Sequence, residues 1–439
     1  MKIGLTIIAL TLLALGATAQ AQNIEQLKEQ VEQGVPEAQY NLGHAYANGQ
    51  GVPQDSTQAL HWLRKAAEQG YALGQIDLAI AYDHGQSFVP QDHEQAAHWW
   101  HQAAQHGGAE ILSEMGFAYL TGQDVPQNLA LAVYLFGHAA QGGDAFAQIA
   151  LGMAYAHGQG VPQDYAQAFY WFRQAAEQGE TEAQYMLGAA YEFGQGVDQD
   201  YAQSAYWYRK AAELGDASAQ YNLGIAYDHG QGVPQDDSQA VHWYRKAANQ
   251  GHASAQFNLA SAYYFGEGVN QDHGQAFHWN KKAALQGDVG AQFALGGAYQ
   301  LGQGVPQDHS QAVHWFRQAA DQGNPYAQFS LGLAYAEGQG VIENYTQAFY
   351  WYRKAAMQGY ALAQGRLAFA YALGQGVPVD YEQAYAWALV AKATGEHLDG
   401  TLENLREMLT PAQITRAQQT ATRLHDQIQA NIKAKANQP

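Results

Sequence analysis

Histidine is the residue type in this chain best suited to chemistry, and there are eighteen of them. His242, His278 and His314 each stand directly before a tryptophan at regular steps, which would set them in a ladder along equivalent helices. His84, His93, His98, His101 and His106 crowd a single stretch, with His98 one helical turn from His101. Neutral imidazoles are good ligands for transition metals. Yet the matching positions elsewhere hold Tyr170, Tyr206 and Tyr350, an exchange that favours partly exposed packing over a metal centre. No metal or cofactor is therefore expected. The patterns Ser-x-x-Lys, His-Glu-x-x-His, Gly-x-Ser-x-Gly and the phosphate-binding loop are all absent from the sequence. No residue is assigned a catalytic role. Cysteine is absent too, which removes disulfides, thiolate metal sites and lipid attachment through a thiol.

The elements that carry these side chains follow from a repeat of 36 residues, present ten times between residues 36 and 395. Leu42-Gly43, Leu151-Gly152, Leu187-Gly188, Leu223-Gly224, Leu295-Gly296 and Leu331-Gly332 fix its register. Leu78-Ala79, Met115-Gly116, Leu259-Ala260 and Leu367-Ala368 are close variants. A period of this length marks a solenoid or array, in which each unit stacks on its neighbours. In the sixth copy Ala219, Leu223, Ala226 and Tyr227 have helical spacing, which predicts a helix from Ala217 to about His229. Gly230-Gln231-Gly232 ends it, Val233-Pro234 runs extended, and Asp236 stands where an N-cap is needed. Ala240, Trp243, Ala247 and Ala248 then predict a second helix that Gly251 stops. The Gly-x-Gly is thus a turn rather than a phosphate cradle, and the Asp of Pro-Gln-Asp is a cap rather than a calcium ligand. Gly224 inside a helix costs about 1 kcal/mol relative to alanine, so its recurrence predicts close helix contact.

Charge and composition narrow the partners. The formal net charge is −19, which disfavours nucleic acid and anionic membrane surfaces. Charged residues make up only 14% of the chain, and the abundance of Gly and Tyr with 47% hydrophobic residues fits a packed protein. Residues 1–21 read as a cleaved secretory signal: Lys2, the apolar run Ile3 to Gly16, then Ala17-Thr18-Ala19 and Ala19-Gln20-Ala21. The expected location is the periplasm or the exterior, with no membrane-embedded segment.

Leu-Gly-x-Ala-Tyr, Gly-Gln-Gly-Val-Pro-Gln-Asp and Trp-Tyr-Arg-Lys-Ala-Ala-x-x-Gly together resemble the Sel1-like repeat, a relative of the tetratricopeptide repeat. The resemblance implies an all-α, right-handed superhelical α/α solenoid of helix-turn-helix units. It also implies a binding scaffold in envelope assembly or host contact rather than an enzyme. Some Sel1-like proteins carry a β-lactamase label, but they are cysteine-rich, and this chain lacks both the cysteines and the serine motif. Departures from the pattern are local. The second copy has one extra loop residue in Gly85 to Pro90, Asn128 replaces the capping Asp, and Asp198 and Ile342 stand where Pro is usual. Residues 22–35 read as an N-terminal capping helix and 396–439 as C-terminal capping helices and a tail. Thr410-Pro411 opens the last helix, with the stripe Ile414, Ala417, Ala421, Leu424 and Ile428 turned inward.

In related helical arrays the first helix of each pair lines the inner, concave face. Positions that vary between copies on that helix are then the candidate contacts. Just before the Leu these include Asn41, Asp77, Glu114, Met186, Asn222, Asn258 and Arg366; two places after it they include His44, Ile80, Phe117, Met153 and Ile225. Five and six places after it come Asp83-His84, Glu192-Phe193, Asp228-His229 and Tyr264-Phe265. Amides and acids mixed with aromatic and Met side chains suit a peptide or protein segment. Two other readings stay open: an enzyme of β-lactamase or cell-wall hydrolase type, and a module for glycan or peptidoglycan fragments.

Overall fold

The computed structural model describes residues 24–85, 89–122 and 126–436. The signal segment and the extra loop residue of the second copy lie outside the described residues. All secondary structure among the described residues is helical, and the chain divides into two compact units between Asp216 and Ala217. Each unit is an α-solenoid of five consecutive helix pairs, in which a second helix packs between its own first helix and the next one within that unit.

The sixth repeat shows why these residues form these elements. Its helices are Ala217–His229 and Asp237–Asn249. Gly230 closes the first in the left-handed region at φ 66°, where glycine pays no steric penalty. The Asp236 carboxylate then accepts from Gln239 N at 3.0 Å, supplying one of the bonds the second helix lacks at its start. In the fourth repeat the motif works at both ends. Gln163 Nε2 donates to the Ala156 carbonyl at 2.8 Å, closing the first helix, and Asp164 accepts from Ala166 N and Gln167 N. Pro-Gln-Asp is therefore a double cap.

Leu187 in the first unit and Leu223, Leu259, Leu295, Leu331 and Leu367 in the second form the centre of the packing, each at most 1% exposed. Burying each leucine is worth roughly 1.5–3 kcal/mol. The glycine beside each leucine answers to the residue twenty places on. Gly152 and Gly188 lie under the rings of Phe172 and Tyr208, and Gly224, Gly296 and Gly332 under Tyr244, Phe316 and Tyr352. A Cβ on any of these glycines would sit within 2.7 Å of a ring carbon. Where the residue twenty places on is Asn280 or Ala388, the glycine is replaced by Ala260 or Ala368. The second glycine of the turn has another duty. Gly196 lies against the Tyr165 carbonyl and Gly340 against the His309 carbonyl, each in the preceding repeat, so a side chain there would strike backbone.

A polar seam runs through this packing. In the seventh repeat Gln256 is 3% exposed; its Nε2 donates to the Ala248 carbonyl at 3.0 Å, and its Oε1 accepts from Gln286 Nε2 at 2.8 Å. The pairs Gln39–Gln69, Gln148–Gln178, Gln220–Gln250, Gln292–Gln322 and Gln328–Gln358 repeat the arrangement. Gln178, Gln322 and Gln358 each also donate to the carbonyl of a glycine 35 residues earlier. His106 stands in for the donor opposite Gln75, beside a distorted turn at Ala104–Gly108, and the Thr394 hydroxyl does so opposite Gln364.

The ends are covered by helices. Leu27 and Val31 of Ile24–Glu32 pack on Ala38, Leu42 and Ala45. At the other end Asp399–Glu407 and Pro411–Ala436 follow the last repeat. Thr410 and Gln413 form a reciprocal capping box, with Thr410 N donating to Gln413 Oε1 at 2.9 Å. Ala417, Ala421 and Ile428 are buried, Ile414 and Leu424 partly so, and Arg416 pairs with Glu382 in a two-pronged bond of 3.0 and 2.5 Å.

Candidate partner-binding face

Each first helix in both units presents its second, sixth, ninth and thirteenth residues on one side, because steps of four and three return to the same side of a helix. In the first unit these are Glu37, Asn41, His44 and Asn48; then Leu73, Asp77 and Ile80; then Glu110, Glu114, Phe117 and Thr121. Phe146, Ala150, Met153 and His157 follow, then Glu182, Met186, Ala189 and Phe193. In the second unit the set opens with Ser218, Asn222, Ile225 and His229, and the seventh repeat adds Ser254, Asn258, Ser261 and Phe265. After Gly290, Ala294, Gly297 and Leu301 of the eighth repeat come Tyr326, Ser330, Leu333 and Glu337, and finally Leu362, Arg366, Phe369 and Leu373.

The structure spreads the sequence-derived candidates over three environments. Glu114, Phe117 and Arg366 are exposed, while Asn41, Met153, Met186, Asn222 and Ile225 are half-buried on the face. Asn258 is half-buried as well, and its amide meets the hydroxyls of Tyr221 and Tyr244. Asp77 and Ile80 are buried, at 9% and 4% exposure, and so offer almost no surface. Asp77 is closed over from the preceding repeat: His44 Nε2 bonds its Oδ2 at 2.7 Å, and the Tyr40 hydroxyl bonds it too. Burial first, then the charge of Asp77, raises the Tyr40 hydroxyl far above its ordinary pKa, so it stays a donor. Tyr264 leaves the face; its hydroxyl donates to Gln303 of the next repeat at 3.1 Å. Glu192 and Asp228 are likewise occupied, accepting from the hydroxyls of Tyr208 at 2.6 Å and Tyr244 at 3.1 Å.

Side chains reading in from the start of the helix were missed. Phe146 and Tyr326 are 51% and 52% exposed, and Leu362 is 43% exposed. Two of them meet other rings: Phe146 meets Phe117 of the preceding first helix edge-on at 5.9 Å, and Tyr326 meets Tyr360, just before the next first helix, at 5.2 Å. The available signal was variability twelve places before the helix-ending glycine, in the row of Glu37, Phe146 and Tyr326.

On the opposite helices, His242, His278 and His314 are exposed, and each packs edge-on against its own tryptophan at 5.1 to 5.2 Å. Lys246 and Lys282 lie over Trp243 and Trp279 at 4.3 and 4.4 Å. Among the described residues no three His, Asp or Glu side chains converge as a metal site would require.

A family model described as the Sel1 repeat matches residues 36–71, 72–108, 112–144, 145–180, 181–216, 217–252, 253–288, 289–324, 325–360 and 361–392. Among solved structures, c5321 from uropathogenic Escherichia coli, a protective antigen with an SLR fold, shares 37% identity over 94% of this chain and 97% of that one, with a TM-score of 0.51. A Sel1 repeat protein from Oxalobacter formigenes shares 37% identity over 71% of this chain and 90% of its own, with a TM-score of 0.56. No curated protein gives a significant match.

Proposed function

Because the chain belongs to the Sel1 repeat family, we propose that it is an exported, non-enzymatic scaffold that holds a protein or peptide partner on the face of its first helices. Proteins of this family are generally non-catalytic scaffolds for protein interaction. The carrying observation is a division of labour within single helices. The buried side repeats Ala-Gln-x-x-Leu-Gly almost unchanged, whereas the face goes from Glu110, Glu114 and Phe117 to Ser254, Asn258 and Ser261. A largely open surface that mixes carboxylates, amides and aromatic rings suits a polypeptide, whose backbone bonds to amides while its side chains take the apolar positions.

Export rests on the signal-like residues 1–21, and the description of c5321 as a protective antigen supports it. No helix of the described residues is long and apolar enough to cross a membrane. Assembly of envelope complexes or contact with a host are the roles that fit such a scaffold.

The test is capture from envelope extracts by the immobilised chain 22–439, in parallel with Asn222→Ala/Asn258→Ala and Phe117→Ala/Phe146→Ala. A protein retained by the parent and lost with either face variant supports the reading. Identical capture by the parent and both variants, with all three equally folded, would remove the face from the argument.

A further inference from the structure

Among the helix pairs of the first unit, Lys and Arg are confined to second helices, while acids stand on both. Its first helices contain Glu37, Asp77, Asp83, Glu110, Glu114, Glu182 and Glu192 but neither Lys nor Arg. The bases of the same repeats, Arg64, Lys65, Arg173, Arg209 and Lys210, all stand on second helices. Several acids are used internally: Asp77 by His44, Asp83 by His93, Glu192 by Tyr208. Glu110, Glu114 and Glu182 are exposed and take part in no ion pair among the described residues.

Between those carboxylates lies apolar surface. Phe117 is on the same side of its helix as Glu110 and Glu114, and is 43% exposed. Phe146 of the next first helix, 51% exposed, contacts it edge-on and rests on the buried Phe136 at 6.2 Å. Half-buried Met153 and Met186 continue the strip toward Glu182. Exposed rings in contact across two helices are apolar area that a partner would remove from water. Methionine adapts to irregular side chains better than a branched residue does.

We propose that the first-helix face of repeats 3 to 5 receives a cationic amphipathic polypeptide segment. Its apolar side chains cover Phe117 and Phe146, and its Lys or Arg groups meet Glu110, Glu114 and Glu182. This rests on the reading of the first-helix face as a polypeptide site and names the chemistry of the partner. Acidic segments and anionic glycans are repelled, because no base on these helices offsets the carboxylates. The flexible stems of Lys and Arg suit the ring faces, which attract cations as well as methylene groups. Charges at such an exposed surface chiefly set partner choice and encounter rate, and salt weakens them.

The experiment is fluorescence anisotropy on the chain 22–439 with a labelled peptide of alternating Lys and Leu, and its counterpart with Glu for Lys. The Lys peptide is expected to bind, and the Glu peptide to show no binding. Glu110→Gln/Glu114→Gln/Glu182→Gln should weaken the Lys peptide about tenfold or more, as should Phe117→Ala/Phe146→Ala. A control with the same change in net charge, Glu68→Gln/Glu94→Gln/Glu213→Gln on second helices, should leave affinity unchanged. Equal weakening by both carboxylate triplets would assign the attraction to net charge and overturn the proposal, as would equal binding of the two peptides. If neither peptide binds while Phe117→Ala/Phe146→Ala still abolishes partner capture, the proposal fails and the scaffold reading stands.

Discussion

Repeats 3 and 5 depart from the glutamine seam in the same place with opposite results. In repeat 3 both partners are exchanged, to Leu112 and Gly142, and Leu112 is fully buried with no polar atom left over. The neighbouring Ser113 hydroxyl donates to Asp144 instead, at 2.8 Å. In repeat 5 only one partner is exchanged. Leu214 replaces the usual glutamine, and Gln184 keeps a buried Oε1 with no hydrogen-bond partner. A hydrogen bond removed from both sides is nearly neutral, whereas one removed from a single side leaves a desolvated group worth about 1–3 kcal/mol. The repeats tolerate change when it comes in pairs.

The sharpest break in that rule comes from removing one large member of a packed set. Trp243→Ala should cost about 3–5 kcal/mol in chemical denaturation, because the ring is buried. Trp315→Ala, where the ring is only half-buried, should cost clearly less. Equal losses would show that the tryptophans do not pack as the structure has them.

Repeats 6 and 7 supply the next contrast, Gly224 under Tyr244 against Ala260 beside Asn280. Alanine at 224 gains up to about 1 kcal/mol in helix propensity but meets the tyrosine ring, and overpacking of about 1–3 kcal/mol wins. Gly224→Ala is therefore destabilising alone. Combined with Tyr244→Asn it should cost less than the sum of the two single changes, and strict additivity in a double-mutant cycle would refute the pairing.

Repair of the fifth seam tests the opposite sign. Leu214→Gln restores a donor for Gln184 Oε1, as Gln178 provides for Gln148, and should stabilise by about 1 kcal/mol. A lower melting temperature would count against the seam as a source of stability.

The smallest effect is one of pH in repeat 3. His138 stands where other repeats carry Lys210 or Lys246, and burial, followed by the charge of His101, lowers its pKa to about 4. The unfolded chain, near the ordinary 6.5, binds the proton first. The stability it contributes is complete above about pH 6.5 and is lost as pH falls toward 4. Melting temperature should drop between pH 7 and pH 5, and His138→Gln should flatten part of that drop. An unchanged profile would rule His138 out as its source.

Repetition made the fold legible. The expected first helix of repeat 6 and the observed Ala217–His229 coincide, because Leu-Gly sets the register and glycine sets the stop. The glutamines carried a signal of equal strength, recurring at Gln39, Gln54 and Gln69, but not its meaning. An amide that donates eight residues back and accepts from thirty residues ahead has a role only once the helices are stacked. The face was half legible for a similar reason. Leu-Gly fixes the register at mid-helix and carries no information on the helix start, where Phe146 and Tyr326 stand. Asp77 had the right position for a contact and lost its surface to His44 and Tyr40 of the neighbouring repeat.

The amides of the seam also govern how the gene for such a chain can grow. Gln358 seeks one partner 30 residues behind it and another 35 behind, and Gln322 does the same one repeat earlier. Among repeats that keep both seam glutamines, duplication or excision of one whole unit hands each glutamine a fresh partner at the same offset. A piece of any other length strands amides at both joints. Near-identical stretches such as Tyr-Trp-x-Arg-x-Ala-Ala, at Tyr170 and Tyr350, are where unequal recombination would pair the strands in phase. Arrays of this kind lengthen and shorten by whole units, and each added unit brings four new face positions free to diverge.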